Sequence, residues 1–254
     1  RIRLVLRIEE MEKAIAGAGL GQGGVGDSSG VSGDQVGVIL GCMEDWGWTG
    51  CLCVGGGGTG KSLFSKVLGK TYGVPSVALD LGRMKGSYVG ESEANVRNAM
   101  KVLRAIADGY VFVTATCNRL QSIPPELRRR FRAGIWYFEL PDRAEKDAIW
   151  QLTLPKYGLP GNAERPTDDL WTGAEIRNVC EHAQRTGKPL ADCARWIVPT
   201  AKADPDALRT LRDAAAGNFL SASSAHADSD GVYHLGAGQA GGLKAVRQFL
   251  GKES

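Results

Sequence analysis

Residues 55–62 read Gly-Gly-Gly-Gly-Thr-Gly-Lys-Ser, the spacing G-x-x-x-x-G-K-S. This spacing suits the holding of a chain of phosphates. Glycines let successive backbone N–H groups curl around a β-phosphate with no side chain in the way. A helix beginning at the Lys aims its positive end at the same anion. Lys61 then neutralises β- and γ-phosphate charge, and the Ser62 hydroxyl ligates Mg2+. Gly55, Gly57, Gly58, Thr59, Gly60 and Leu63 complete the expected nucleotide contacts. The plain alternative is a flexible turn that happens to precede a Lys. The apolar run 50–54 before it and the helix-like 61–72 after it favour the phosphate loop.

Such a loop needs a strand behind it and a helix in front, and the flanking pattern supplies both. Residues 1–8 (RIRLVLRI) alternate basic and apolar as a strand does, and 9–16 open a helix. Residues 17–33 are rich in Gly and Ser, as in a loop. A helix is expected over 34–46, starting near an Asp34 cap. Strands are expected at 74–81, 110–116 and 135–140, a long helix at 91–107 and a short basic one at 124–132. Strands alternating with helices predict a parallel sheet with helices on both faces. After Pro141 the pattern is helical to about residue 216. The expected organisation is an α/β nucleotide-binding domain (1–142), a helical lid (143–216) and a Gly/Ser-rich tail (217–254) with a short helix at 242–250.

Composition narrows the class. The chain has 254 residues, enough for one large domain with a small lid. A net charge of +3 gives no electrostatic case for nucleic acid, although a local basic patch is compatible with it. The six Cys show no CxxC pair and no zinc-like His spacing, which points to buried free thiols in a reducing compartment such as the cytoplasm. No apolar run reaches membrane-spanning length and no signal peptide is visible. The chain begins at Arg1 and not at Met, as expected of a fragment or of a sequence with disordered residues omitted.

Binding alone does not give hydrolysis, and the other parts come from a resemblance. YVGESEANVR (88–97), VFVTATCNRL (111–120), IPPELRRRF (123–131), ELPDRAEKDAIW (139–150) and WTGAEIRNVCEHA (171–183) follow one another as in AAA+ ATPases. The resemblance implies an AAA+ type P-loop NTPase fold, with ATP and Mg2+ as cofactors. It places Asn118 as the polar sensor that orients the attacking water, and Gly173 and Ala174 as lid residues near the adenine. Arg129 and Arg130 fall where the family carries arginine fingers that reach a neighbouring subunit. The usual GRFD ending is absent, so the finger stays open among Arg128, Arg129 and Arg130. Arg177 is assigned no role, because the motif resembles the branch with Ala there. Tyr88 and Val89 align with the pore loop of threading members, with Lys85 close by; Glu91 and Glu93 read as helix caps. PPELRRRF also bears a faint likeness to bacteriophage AAA proteins.

One part is out of place. Relatives carry an acidic strand between the helix at 91–107 and the strand at 110–116, and here only Asp108 and Gly109 intervene. RLVLRIEEMEKAIAG (3–17) resembles that strand, moved to the N-terminus. In this permuted order Glu9 takes the metal-side position and Glu10 the water-activating one. The alternative is an exposed helix with Glu9, Glu10 and Glu12 on its solvated face. The expected activity is a Mg-dependent ATPase, working as a homo-oligomeric ring, a hexamer, that remodels or threads a protein partner. A DNA-associated helicase-loader-like ATPase and a weakly hydrolysing assembly scaffold are the competing readings.

Overall fold

The computed structural model of the chain describes residues 2–16, 31–81, 91–223, 228, 230, 232 and 233. Tyr88, Val89, Lys85 and the helix expected at 242–250 lie outside the described residues. The described residues divide into two compact units. One draws on residues 1–54, 61–137 and 215–254, the other on 55–60 and 138–214.

The first unit is built on a sheet. Its strands are β1 (Leu4–Ile8), β2 (Thr49–Gly55), β3 (Ser76–Leu79), β4 (Val111–Cys117), β5 (Ile135–Phe138) and the two-residue β6 (Leu220–Ser221). Their spatial order is β3-β1-β4-β2-β5-β6. β1 runs parallel to β3 on one side, with Leu6 opposite Val77, and parallel to β4 on the other, with Leu6 opposite Val113. β2 is parallel to the far side of β4, with Leu52 opposite Ala115. β5 follows, its approach marked by Leu52 N–H donating to the Gly134 carbonyl. β4 has all seven residues buried, because it is covered on both faces and paired on both edges; a buried parallel strand reads as such an unbroken small and apolar run.

The helices of this unit are α1 (Met11–Ala16), α2 (Val31–Asp45), α3 (Lys61–Tyr72), α4 (Glu91–Ile106) and α5 (Pro125–Arg128). α2 begins three residues before the expected Asp34 cap. α5 is shorter than the 124–132 expected, and Pro124 and Pro125 set its start. β6 falls in the segment expected as tail. It pairs with Trp136 and Tyr137 of β5, and the Tyr137 ring packs edge-on against Tyr233 at 4.6 Å.

The second unit is helical: α6 (Arg143–Lys156), α7 (Gly173–Thr186), α8 (Leu190–Ala194), α9 (Thr200–Ala203) and α10 (Pro205–Ala215), whose last residue falls in the first unit. Trp150, Leu154, Trp171, Ile176, Val179 and Cys180 form its core. The Trp150 indole is fully buried and donates to Asp168 Oδ2 at 2.9 Å, which satisfies its one polar atom. α6 and α7 each open with a capping box, Asp142 with Glu145 and Thr172 with Glu175. α7 ends at Gly187, whose φ of 67° is the left-handed stop that glycine makes without penalty.

Candidate active site

Parallel strands end together, so the C-terminal ends of β1 and β4 and the start of α3 bring three segments into one place. In an open α/β sheet this is where ligand chemistry sits. β1 occupies the slot between β3 and β4, and the chain delivers it from the N-terminus. The acid-bearing segment that follows β1 therefore lies beside the end of β4, although the two are far apart in the sequence.

Lys61 opens α3 and is buried, 6% exposed. Burial pushes its ammonium down to about 8, and the nearby carboxylates of Glu12 and, more weakly, Glu10 act against that shift. Lys61 thus sits within electrostatic reach of the segment that follows β1. Ser62 is half-buried beside it, and Leu63 is exposed. Glu10 has its backbone N–H bonded to Thr116 Oγ1 of β4 at 3.0 Å and a φ of 54°, a left-handed backbone that turns the chain sharply off the strand. Its carboxylate accepts from Lys13 at 2.7 Å, and the Glu9 carboxylate accepts from Arg7 at 2.9 Å. Both acids are exposed, so solvent screens these pairs and little holds them against a competing cation.

Asn118 directly follows the last residue of β4. Its partner is Glu12, which the sequence offers only as one of three acids on a solvated helix face. Glu12 Oε1 accepts from both the Asn118 backbone N–H (3.1 Å) and its amide Nδ2 (2.9 Å). The sequence signal was present in Glu12 itself, a third acid close behind Glu10, but only the fold shows it turned inward.

The phosphate loop, residues 55–60, has its contacts within the helical unit. Gly55, Gly58 and Gly60 have φ of 159°, 79° and 101°; the last two are conformations that favour glycine. Thr59 Oγ1 donates to the Gly56 carbonyl at 2.9 Å. A Cβ on Gly57 would lie 3.3 Å from Thr200 Cγ2, and one on Gly58 would lie 2.8 Å from Ala174 Cβ. Gly173 approaches the Gly58 carbonyl. The expected lid pair thus packs on the loop itself. Behind it, one buried carboxylate ties two helix starts together. Glu175 Oε2 accepts from the Thr172 N–H and hydroxyl, and Oε1 from the Thr200 N–H (2.9 Å) and hydroxyl (2.7 Å). Burial alone would raise the Glu175 carboxyl; the bonds from Thr172 and Thr200 outweigh it and hold it below its usual range. The T-x-x-E spacing at 172–175 is a capping-box signature that the sequence carries, but nothing in it points to Thr200.

The three arginines separate by what they touch. Arg128 donates to the carbonyls of Ile123 (2.7 Å) and Leu120 (3.0 Å). Arg130 pairs with Glu44 at 2.8 Å. Arg129 is exposed and, among the described residues, makes no side-chain hydrogen bond or ion pair.

The donor set fits Mg-nucleotide. Among the described residues no three His, Cys, Asp or Glu side chains cluster as a metal cage. Mg2+ does not need one, since it keeps waters and phosphate oxygens and takes one or two protein oxygens. Ser62 and Glu9 carry such oxygens.

A parallel sheet, a G-x-x-x-x-G-K-S loop between strand and helix, and a polar residue ending the adjacent strand define a P-loop nucleotide-binding protein. Residues 51–109 match the model of the AAA family, ATPases associated with various cellular activities. The AAA domain-containing protein ycf46 of Guillardia theta is 27% identical over 230 residues, covering 68% of this chain and 46% of its own length. Its counterpart in Pyropia yezoensis is 29% identical over 147 residues, covering 42% and 30%. The human ATPase family gene 2 protein homolog A is 26% identical over 183 residues, covering 53% and 20%. Among solved structures, the FIGL-1 AAA domain aligns over 70% of this chain and 83% of its own, at 17% identity and a TM-score of 0.42. The chain spans less than half the length of each of these curated relatives. Over residues 51–109 the chain is thus similar to ATPases of the AAA family. The family match stops at Gly109, where the acidic strand would come next in the usual order. No helix among the described residues is long and apolar enough to cross a membrane.

Proposed function

We propose that the chain binds ATP with Mg2+, hydrolyses it, and uses the cycle to remodel a protein partner as part of a homo-oligomeric ring. The observation that carries this reading is the buried Lys61 at the head of α3, electrostatically coupled to the acid segment that β1 delivers beside Asn118. In this reading residues 55–60, Lys61 and Ser62 hold the phosphates, and Ser62 and Glu9 supply oxygens to Mg2+. The ion contributes charge neutralisation on the β- and γ-phosphates. Glu10 takes the proton of the attacking water and Asn118 orients that water. The helical unit, with Gly173 and Ala174 against the loop, is the lid. Tyr88 and Val89 are the proposed grip on an extended polypeptide. The six free, buried cysteines fit a reducing compartment such as the cytoplasm.

Arg129 is the finger, because Arg128 and Arg130 are spent within their own subunit. If so, turnover rises with protein concentration, and Arg129→Ala lowers it about 10³-fold or more with ATP still bound. Arg128→Ala acts through folding and lowers thermal stability. Mixing Arg129→Ala with Lys61→Ala protein restores part of the turnover, since one mixed interface pairs an intact loop with an intact finger. Concentration-independent turnover, or an Arg129→Ala enzyme as fast as the parent, would refute the shared site.

A second reading has one observation in its favour. Glu9 and Glu10 are each held by a neighbouring cation, Arg7 and Lys13. An acid pair kept that way suits an assembly scaffold that binds ATP and turns it over slowly; a steady-state rate near the uncatalysed one would favour it.

A further inference from the structure

Three acids follow β1, and the one that is buried is not in the pair expected to do the chemistry. Glu12 is 7% exposed, whereas Glu9 and Glu10 are exposed. Its Oε1 takes two donors from a single residue, Asn118. Its Oε2 is buried and makes no hydrogen bond. Burial of a carboxylate is costly unless something specific is gained. The Lys61 ammonium offsets part of that cost, but linking α1 to β4 would be done as well by an apolar side chain of the same size.

The gain lies in what a carboxylate can and cannot do. It accepts hydrogen bonds and has no proton to give. An amide is asymmetric, with a donor edge and an acceptor edge. Facing Glu12, Asn118 has to offer its Nδ2, and that orientation leaves Oδ1 on the outward side at the end of β4. A neutral partner at position 12 would allow the amide to turn over. We propose that Glu12 is a positioning residue: it fixes the Asn118 amide so that Oδ1, an acceptor, is the atom presented to the attacking water. This deepens the hydrolysis reading and rests on it. A water held by Oδ1 and by the base has both protons engaged and its lone pair free for phosphorus. A flipped amide would direct N–H at the water and compete with the nucleophile's lone pair.

The inference is tested by reversing the pair. In Asn118→Asp the outward oxygen is kept, but two carboxylates face each other, and turnover falls about a hundredfold, the usual range for losing an oriented proton-transfer partner. Glu12→Gln alone costs less, about tenfold at that same scale, because its amide oxygen still accepts from Asn118 while its own N–H2 admits the flipped form. The double variant Glu12→Gln with Asn118→Asp restores the complementarity with donor and acceptor exchanged, and recovers about tenfold of the loss at an unchanged KM for ATP. In an Asn118→Ala background, Glu12→Gln changes turnover no further, since no amide remains to orient. Recovery in the reversed pair is a readout that a packing role would not give. A double variant as slow as Asn118→Asp, with both melting like the parent, overturns the inference; so does a further loss in the Asn118→Ala background. Absence of turnover in the unaltered protein overturns the hydrolysis reading and this one with it, whereas normal turnover without the pattern overturns only this one.

Discussion

Gly58→Ala tests the packing of the phosphate loop. Two costs add at this position. Gly58 has φ 79°, and an L-residue in the left-handed region costs roughly 1–2 kcal/mol. A Cβ there would also fall 2.8 Å from Ala174 Cβ and closer still to the Thr172 hydroxyl. That hydroxyl caps α7 and bonds Glu175, so it can yield only by giving up the cap, about 1 kcal/mol. The sum is about 2–3 kcal/mol of lost stability in the nucleotide-free protein. Gly60→Ala is the control. It too has positive φ, 101°, but a Cβ there meets nothing within 4 Å, so it carries the backbone cost alone. Urea unfolding followed by tryptophan fluorescence reads the difference directly, since Trp150 and Trp171 lie in the core behind the cap. Gly58→Ala is expected to be the less stable by about 1 kcal/mol or more, the worth of the cap. Equal losses, or a larger loss in Gly60→Ala, would refute the close packing of loop on cap.

Two further expectations concern the thiols and the pore loop. Burial pushes Cys117 up to about 12 and Cys180 up to about 11, while an unfolded thiol ionises near 9. The folded chain therefore holds protons that the unfolded chain releases, so stability is full below pH 9 and falls as pH rises from 9 towards 12; denaturation midpoints that climb over that range would contradict it. The six free cysteines are all buried, and thiol reagents at pH 8 should label them only as the protein unfolds. Tyr88→Ala should keep basal ATP hydrolysis and lose its stimulation by an unfolded polypeptide; equal stimulation in both proteins would return Tyr88 to a packing role.

Local chemistry was legible in the sequence and long-range partnership was not. The strand, loop and helix at 49–72 could be read because the loop's spacing has few other uses. The displaced acidic strand could be read because two residues, Asp108 and Gly109, leave no room for a strand where one was due. Its register could not: that Leu4–Ile8 lies between β3 and β4 depends on both neighbours. Glu12 looked like one more acid on a solvated face, because whether a helix so short turns an acid inward is decided by what packs on it. What separates Arg128 and Arg130 from Arg129 depended on which carbonyls and carboxylates lay within reach. β6, at two residues, is too short for any periodicity to show.

The central claim is that this chain is an ATP-binding unit whose loop charge comes from Lys61. Calorimetric titration of Mg-ATP into the unaltered protein and into Lys61→Ala addresses it most directly. Lys61 is the buried cation that opens α3, and removing a charge-assisted contact to phosphate of about 1.5–3 kcal/mol weakens binding by about ten- to a hundredfold or more. Saturable one-to-one binding in the parent and a loss of that size in the variant are the expected results. Equal affinity in the two proteins, or no binding in either, would contradict the account.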